Sequence, residues 1–238
     1  MRMPGPLVVR WLGFEHGPVE AGAAQWATVE AENAGSAAWR TRGAEDGMFL
    51  AYHWLDERGN PIHWDGHRSA LERAVEPGGT LRQRMLLRGA IPPGRYRLAI
   101  DLVEEHRFWL AELGNQRHEE EVEVAPRDAS GARAYIPDGA EPMHGWQEHV
   151  AGLHAEGYAA VGGAVEQPGG RLRRRSNPEL EPYAPGGGRN PAFRHPLVCP
   201  SLLPPLEPNC EVAGLPAWRP LEDDEPWLYD ARALVRLR

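Results

Sequence analysis

Phe49-Leu50-Ala51-Tyr52-His53-Trp54-Leu55 is followed by Asp56-Glu57-Arg58-Gly59-Asn60 and then by Pro61-Ile62-His63-Trp64. Aromatic and aliphatic residues that suit a pleated surface fill the first run, turn formers fill the second, and a short apolar run closes the series. The pattern predicts a β-hairpin. Closure around residues 57–60 sets His63 opposite Trp54 and His53 opposite Trp64. Because neighbours on a strand alternate, His53 and His63 then fall on opposite faces.

Similar short runs extend on both sides of this hairpin, separated by turn signals. Upstream lie Leu7 to Leu12, Val19 to Gly22 and Gln25 to Glu32, with the turn Asn33-Ala34-Gly35-Ser36 before Trp39. Downstream lie Leu81 to Leu87 after Glu76-Pro77-Gly78-Gly79, then Tyr96 to Val103, then Glu119 to Val124. Seven or more strands within residues 7–125, with no helical period between them, predict a mainly β protein whose residues 1–126 form an immunoglobulin-like antiparallel β-sandwich.

Composition agrees. The chain has 238 residues with 27 Gly and 23 Pro, a density that favours turns and short strands over long helices. Net charge is −8, and all 26 basic residues are arginine, which reads as genomic bias rather than as a nucleic-acid platform. No apolar run reaches the length of a spanning helix, and Arg10 interrupts the first one, so neither a membrane span nor a secretory signal is expected and the cytoplasm is the expected location. Cys199 and Cys210 are too few for a disulfide framework; whether they pair is open.

After Pro126 the texture changes. The remainder, 127–238, is expected to be a Pro/Gly-rich α+β segment. Trp146, Val150, Leu153 and Ala155 share a face and predict a helix over 143–156, ended at Gly157, with a buried strand over 158–165. From Glu166 onward, 13 Pro and 6 Gly in 73 residues predict extended, non-repetitive chain. The run Ala231 to Leu237 reads as a final strand or a short helix.

Candidate site residues come from composition and from resemblance. Trp26, Trp39 and Trp54 are expected in the core, whereas Trp64 and Trp109 adjoin charged turns and are candidates to stack on a sugar ring. His63, Asp65 and His67 form the closest approach to a metal-ligating cluster, with exposed turn histidines as the ordinary alternative. His144, His149 and His154, five residues apart on a helix, diverge by about 140° per step and do not converge on one ion.

The series Val19-x-Ala21-Gly22, Asn33-x-Gly35-x-x-x-Trp39, Leu50-x-Tyr52-x-Trp54, Val75-x-Pro77-Gly78 and Pro93-Gly94-x-Tyr96-x-Leu98 resembles immunoglobulin-like accessory domains appended to bacterial glycosyltransferases. That resemblance implies a positioning or glycan-contacting module without chemistry of its own. Farther on, Ile136-Pro137-Asp138-Gly139-Ala140-Glu141-Pro142 with Gly145-Trp146 and Gly162-Gly163 is similar to the second half of family-two glycosyltransferases. That similarity implies Asp138 as a ligand for Mg²⁺ or Mn²⁺, Arg189 and Asn190 in an acceptor-side segment, and Asp223 as general base. Ala140 stands where the family's second aspartate would.

Three functional readings follow. The first is a non-catalytic accessory or binding module of bacterial cell-envelope polysaccharide assembly, partnered by a glycosyltransferase or a glycan and needing no cofactor. The second is a cation-dependent nucleotide-sugar transferase built on Asp138 and Asp223. The third is a structural protein-interaction module.

Overall fold

A computed structural model describes residues 5–41, 47–130, 133–134, 140–173, 201–202 and 225–237. The chain divides into two compact units, Met1–Ala125 and Pro126–Arg238.

In the first unit, β1 (Val9–Glu15), β2 (Val19–Glu20), β3 (Ala24–Asn33), β4 (Met48–Leu55), β5 (Pro61–His63) and β6 (Ser69–Ala70) come first. They are followed by β7 (Thr80–Arg88), β8 (Gly94–Glu104), β9 (Phe108–Trp109) and β10 (His118–Ala125). One sheet has the order β1-β3-β7. The other has the order β2-β10-β8-β4-β5, with β6 paired to β4 and β9 to β8. The two layers enclose one core, in which Val29, Ala31, Leu81 and Met85 of the smaller sheet meet Leu50, Tyr52, Trp54, Leu98 and Ile100 of the larger. The mainly β sandwich expected from the sequence is therefore the fold, with one addition: β2 runs parallel to β10 through Val19 and Val124.

The hairpin register matches the sequence reading, with Trp54 opposite His63 and a shift between Trp54 and Leu55. Gly59, in the left-handed region at φ 84°, carries the turn, and Asp56 accepts hydrogen bonds from the Arg58 and Asn60 amides at 2.9 and 2.7 Å. Trp39 and Trp54 are core residues, and the Trp54 indole donates to the Arg88 carbonyl at 2.8 Å. Trp26 is not. On β3 the inward phase belongs to Ala27, Val29 and Ala31, which turns Trp26 outward with Thr28, Glu30 and Glu32 and leaves it 56% exposed.

The second unit contains β11 (Arg133–Ala134), β12 (Ala140–Pro142), α1 (Trp146–Ala155), β13 (Ala160–Gln167), β14 (Arg171–Arg173), β15 (Ser201–Leu202) and β16 (Trp227–Leu237). The sheet order is β11-β15-β13-β16-β12, and β13 lies parallel to β16. Trp146, Val150 and Leu153 of α1 pack on Val161, Ala233 and Val235. The helix begins at Trp146 rather than at the expected residue 143 because Gly145 is left-handed at φ 74°, and strand pairing starts at Ala160 because the Tyr158 amide still donates to the Leu153 carbonyl. The final run is a strand. Gly163 is obligatory, since a Cβ there would lie 1.8 Å from the Ala233 carbonyl oxygen. No helix among the described residues is long and apolar enough to cross a membrane.

Candidate binding site

The outer face of the larger sheet is where the sequence-selected residues meet. On β4, all but one residue is buried, so the strand is covered on both sides. Its outward positions include His53 and Ala51, paired to Ala99 and Asp101 of β8. The cover is local. After the turn at His106, whose φ is 63°, β9 folds back along β8 with Trp109 opposite Val103. A 3₁₀ turn over Leu110–Leu113 follows, and Gly114 in the left-handed region redirects the chain toward β10. Ala51, Val103 and Trp109 form a small apolar layer of their own, with Phe49 against it.

Three rings pack together over this layer, and one pair of them is stacked. The His53 imidazole lies 3.9 Å from the Trp64 indole, centroid to centroid, at 20° between planes, and 4.3 Å from Trp109. The two indoles are 6.1 Å apart and nearly perpendicular. Trp109 is 8% exposed and serves as the floor, while Trp64 is 36% exposed and forms the outer member. Each indole also carries a guanidinium: Arg117 lies 4.8 Å from the Trp64 centroid and Arg68 lies 5.2 Å from that of Trp109. Since His53 takes one face of Trp64, Arg117 takes the other. The indole therefore meets solvent mainly along its edge.

Carboxylates fix these guanidiniums. Arg68 pairs with Glu105 and, at 3.1 Å, with Asp65, and it donates to the Gly66 carbonyl at 3.4 Å. Arg117 reaches Asp101 at 3.4 Å. Asp101 is wholly buried and also accepts from the Leu102 and Ala111 amides at 2.8 and 3.3 Å. Burial pushes its carboxyl up, against the opposing pull of those hydrogen bonds and of Arg117. Gly66 is pressed against β4, because a Cβ there would sit 2.6 Å from the Tyr52 ring and carbonyl. That contact holds the Trp64 segment on the sheet.

His53 is the buried titratable group at the centre. Its Nδ1 hydrogen-bonds the Trp64 carbonyl, and its Nε2 is buried without a hydrogen-bond partner. Burial lowers its pKa to about 4, offset in part by that carbonyl bond. Sequence reading singles out Trp64 and Trp109 and gives His53 only its place opposite Trp64 in the hairpin. The register signal that puts His53 beside Trp64 was available, but not the ring stacking.

Two residues farther along β8, a groove of about 490 Å³ opens between the β4–β5 turn and the β8–β10 pair. Glu57, Arg95, Arg97, Glu121 and Glu123 line it. Arg97 also lies 3.6 Å from Glu119. The groove shares the outer face with His53 and supplies charged hydrogen-bonding groups next to the aromatic cluster.

Asp138, Arg189, Asn190 and Asp223 lie outside the described residues, as do Cys199 and Cys210. Among the described residues no group of three His, Cys, Asp or Glu side chains is placed to hold a metal ion. The three histidines expected on one helix go to separate surroundings: His144 precedes α1 and is exposed, His149 approaches Asp230 at 3.1 Å, and His154 is buried against the Tyr158 carbonyl at 2.7 Å. Asp230 is held at a pKa of about 2, chiefly by its hydrogen bond from Arg232 at 2.6 Å.

No protein-family model and no curated protein matches the chain. Among solved structures it is similar to the C-terminal domain of Wzt, at 9% identity and a TM-score of 0.35, over 53% of this chain and 77% of that one. It is also similar to a β-glucosidase from Listeria innocua solved with glucose, at 13% identity and 0.31, over 50% of this chain and 16% of that one. A third is the sporulation control protein of Bacillus subtilis, at 13% and 0.31, over 56% and 59%. At these scores the likenesses add nothing to what the chain's own geometry shows.

Proposed function

We propose that the sandwich unit is a non-catalytic glycan-binding module of cell-envelope polysaccharide assembly, acting beside a glycosyltransferase. The observation that carries this reading is the Trp64 cluster: an indole 36% exposed, braced by His53 and Trp109 and flanked by Asp65, Arg68 and Arg117. The exposed edge of the indole offers apolar surface to the C–H groups of a sugar, and the charged groups around it orient the hydroxyls. The cluster is pre-organised by ring stacking and ion pairs, so little side-chain freedom is lost on binding. The adjoining groove gives a longer saccharide further polar contacts.

The test is a glycan array probed with the full chain, followed by calorimetry on any glycan retained. Trp64→Ala should weaken binding at least tenfold and leave the thermal transition within a few degrees of wild type. An array without a single retained glycan would overturn the reading.

A further inference from the structure

Arginine and glutamate face each other across the strands on both outer faces of the sandwich, but the two faces treat them differently. On the smaller sheet Arg10 lies opposite Glu32 and Arg82 opposite Glu30, and each couple forms an ion pair. On the larger sheet Arg95 lies opposite Glu123 and Arg97 opposite Glu121, with side chains that start about 5 Å apart. Neither couple pairs. Arg97 turns to Glu119 at 3.6 Å and donates to the Glu57 carbonyl at 3.4 Å. The side chains of Arg95, Glu121 and Glu123 make no hydrogen bond or ion pair with any described residue. Exposure alone does not separate the faces: Arg82 is 64% exposed and pairs, whereas Arg97 is 36% exposed and leaves Glu121 free.

The space over these unpaired couples is the groove of about 490 Å³, a volume within the range of ligand clefts. It is open as it stands and continuous with the aromatic cluster. His53, Ala99 and Glu119 form one cross-strand row, with Trp64 stacked on His53, and the groove occupies the next two rows. From Glu119 to Glu123 the track runs about 13 Å along β10.

The chemistry of the two rows decides what they hold. Guanidiniums only donate and carboxylates only accept, so β8 presents a donor row and β10 an acceptor row. A carboxylate or phosphate on a ligand only accepts: it would meet the arginines and leave the glutamates facing like charge. Glu57, Glu119, Glu121 and Glu123 also outnumber Arg95 and Arg97, which adds repulsion against an anion. A hydroxyl accepts from one row and donates to the other at once.

We infer that the groove is a subsite for uncharged sugar units, whose hydroxyls bridge Arg95 and Arg97 on β8 to Glu121 and Glu123 on β10, and that it sets the charge class of the saccharide. This rests on the glycan-binding reading above and names its substrate class.

The test compares neutral tetrasaccharides of glucose, galactose and mannose with the corresponding uronates, by calorimetry on the full chain. At least one neutral tetrasaccharide should bind, its uronate at least fivefold more weakly, and the gap should narrow as salt is added. Glu121→Lys combined with Glu123→Lys makes both rows basic and should reverse that order. Trp64→Ala should weaken neutral sugar and uronate in the same proportion, because the indole carries no charge. In wild type, the backbone amide resonances of Glu121 and Glu123 should move on adding the bound tetrasaccharide, a readout that does not depend on a variant folding. Uronates binding as well as or better than the neutral sugars would overturn the inference while leaving glycan binding intact. An unchanged order in the folded double variant, or amides unmoved at saturation, would do the same. Failure of every glycan, acidic or neutral, on both array and calorimeter would instead remove the underlying reading.

Discussion

The two outer faces of the sandwich solve the same problem differently. On the smaller sheet the outward residues of β1, β3 and β7 form a ladder of opposite charges: Arg10 pairs with Glu32, and Arg82 with Glu30, while Arg84 lies 4.9 Å from the Trp26 centroid. That face is finished by water. On the larger sheet the outward residues of β4 and β8 include Ala51, His53, Ala99 and Val103, and they are finished by a second layer of protein, the turn from β9 through the 3₁₀ segment and the Trp64 segment. An alternating strand needs one neighbour layer, and an unbroken apolar strand needs two. The second layer brings together rings, guanidiniums and a buried imidazole, and there the candidate site arises.

The same residue type on the two faces should therefore respond very differently to truncation. Trp109→Ala opens a cavity under the cover and should cost about 3–5 kcal/mol by denaturant unfolding. Trp26→Ala removes an exposed ring and its contact with Arg84, and should cost no more than about 1 kcal/mol. Equal losses would mean that the two faces are not distinct.

The buried imidazole gives the covered face a pH signature. His53 titrates near 4 when folded and near 6.5 when unfolded, so the unfolded chain binds more protons between those values. Stability should fall as pH drops from about 6.5 to about 4, by at most about 3 kcal/mol, and the loss should level off below that. In His53→Phe this component should vanish. The difference between wild type and variant separates it from His154, which burial also pushes down. A difference curve flat with pH would show that His53 is solvated.

The smallest effect belongs to the open face. Arg82→Ala breaks a pair whose side chains are 64% and 34% exposed, and should cost about 0.2–1 kcal/mol, shrinking as salt is added. A loss above 2 kcal/mol would show that the ladder is more than a solvated surface.

Much of the sandwich was legible in the order of its residues. The hairpin from Phe49 to Trp64 was legible from the turn chemistry at Asp56 to Asn60 and the apolar run before it, including the pairing of Trp54 with His63, though not the shift between Trp54 and Leu55. The helix of the second unit was legible from the spacing of Trp146, Val150 and Leu153. Trp26 was misplaced because a large ring suggests burial, whereas the phase of Ala27, Val29 and Ala31 decides which side of β3 faces inward. The site was half legible: Trp64 and Trp109 stood out as aromatics beside charged turns, but Arg68, Asp101 and Arg117 did not. Their pairing spans sequence separations of 37 and 16 residues, which no local pattern encodes.

Period-two alternation, turn residues and apolar runs act between neighbours in the chain, and they alone specified a mainly β protein, its principal strands and the tightest hairpin. Which layer covers the second face of β4, which carbonyl the His53 ring meets and which carboxylate holds which guanidinium were settled only by the tertiary structure. Those outcomes depend on segments brought together by folding, whose contact energies are set by distance and burial in space rather than by position in the sequence.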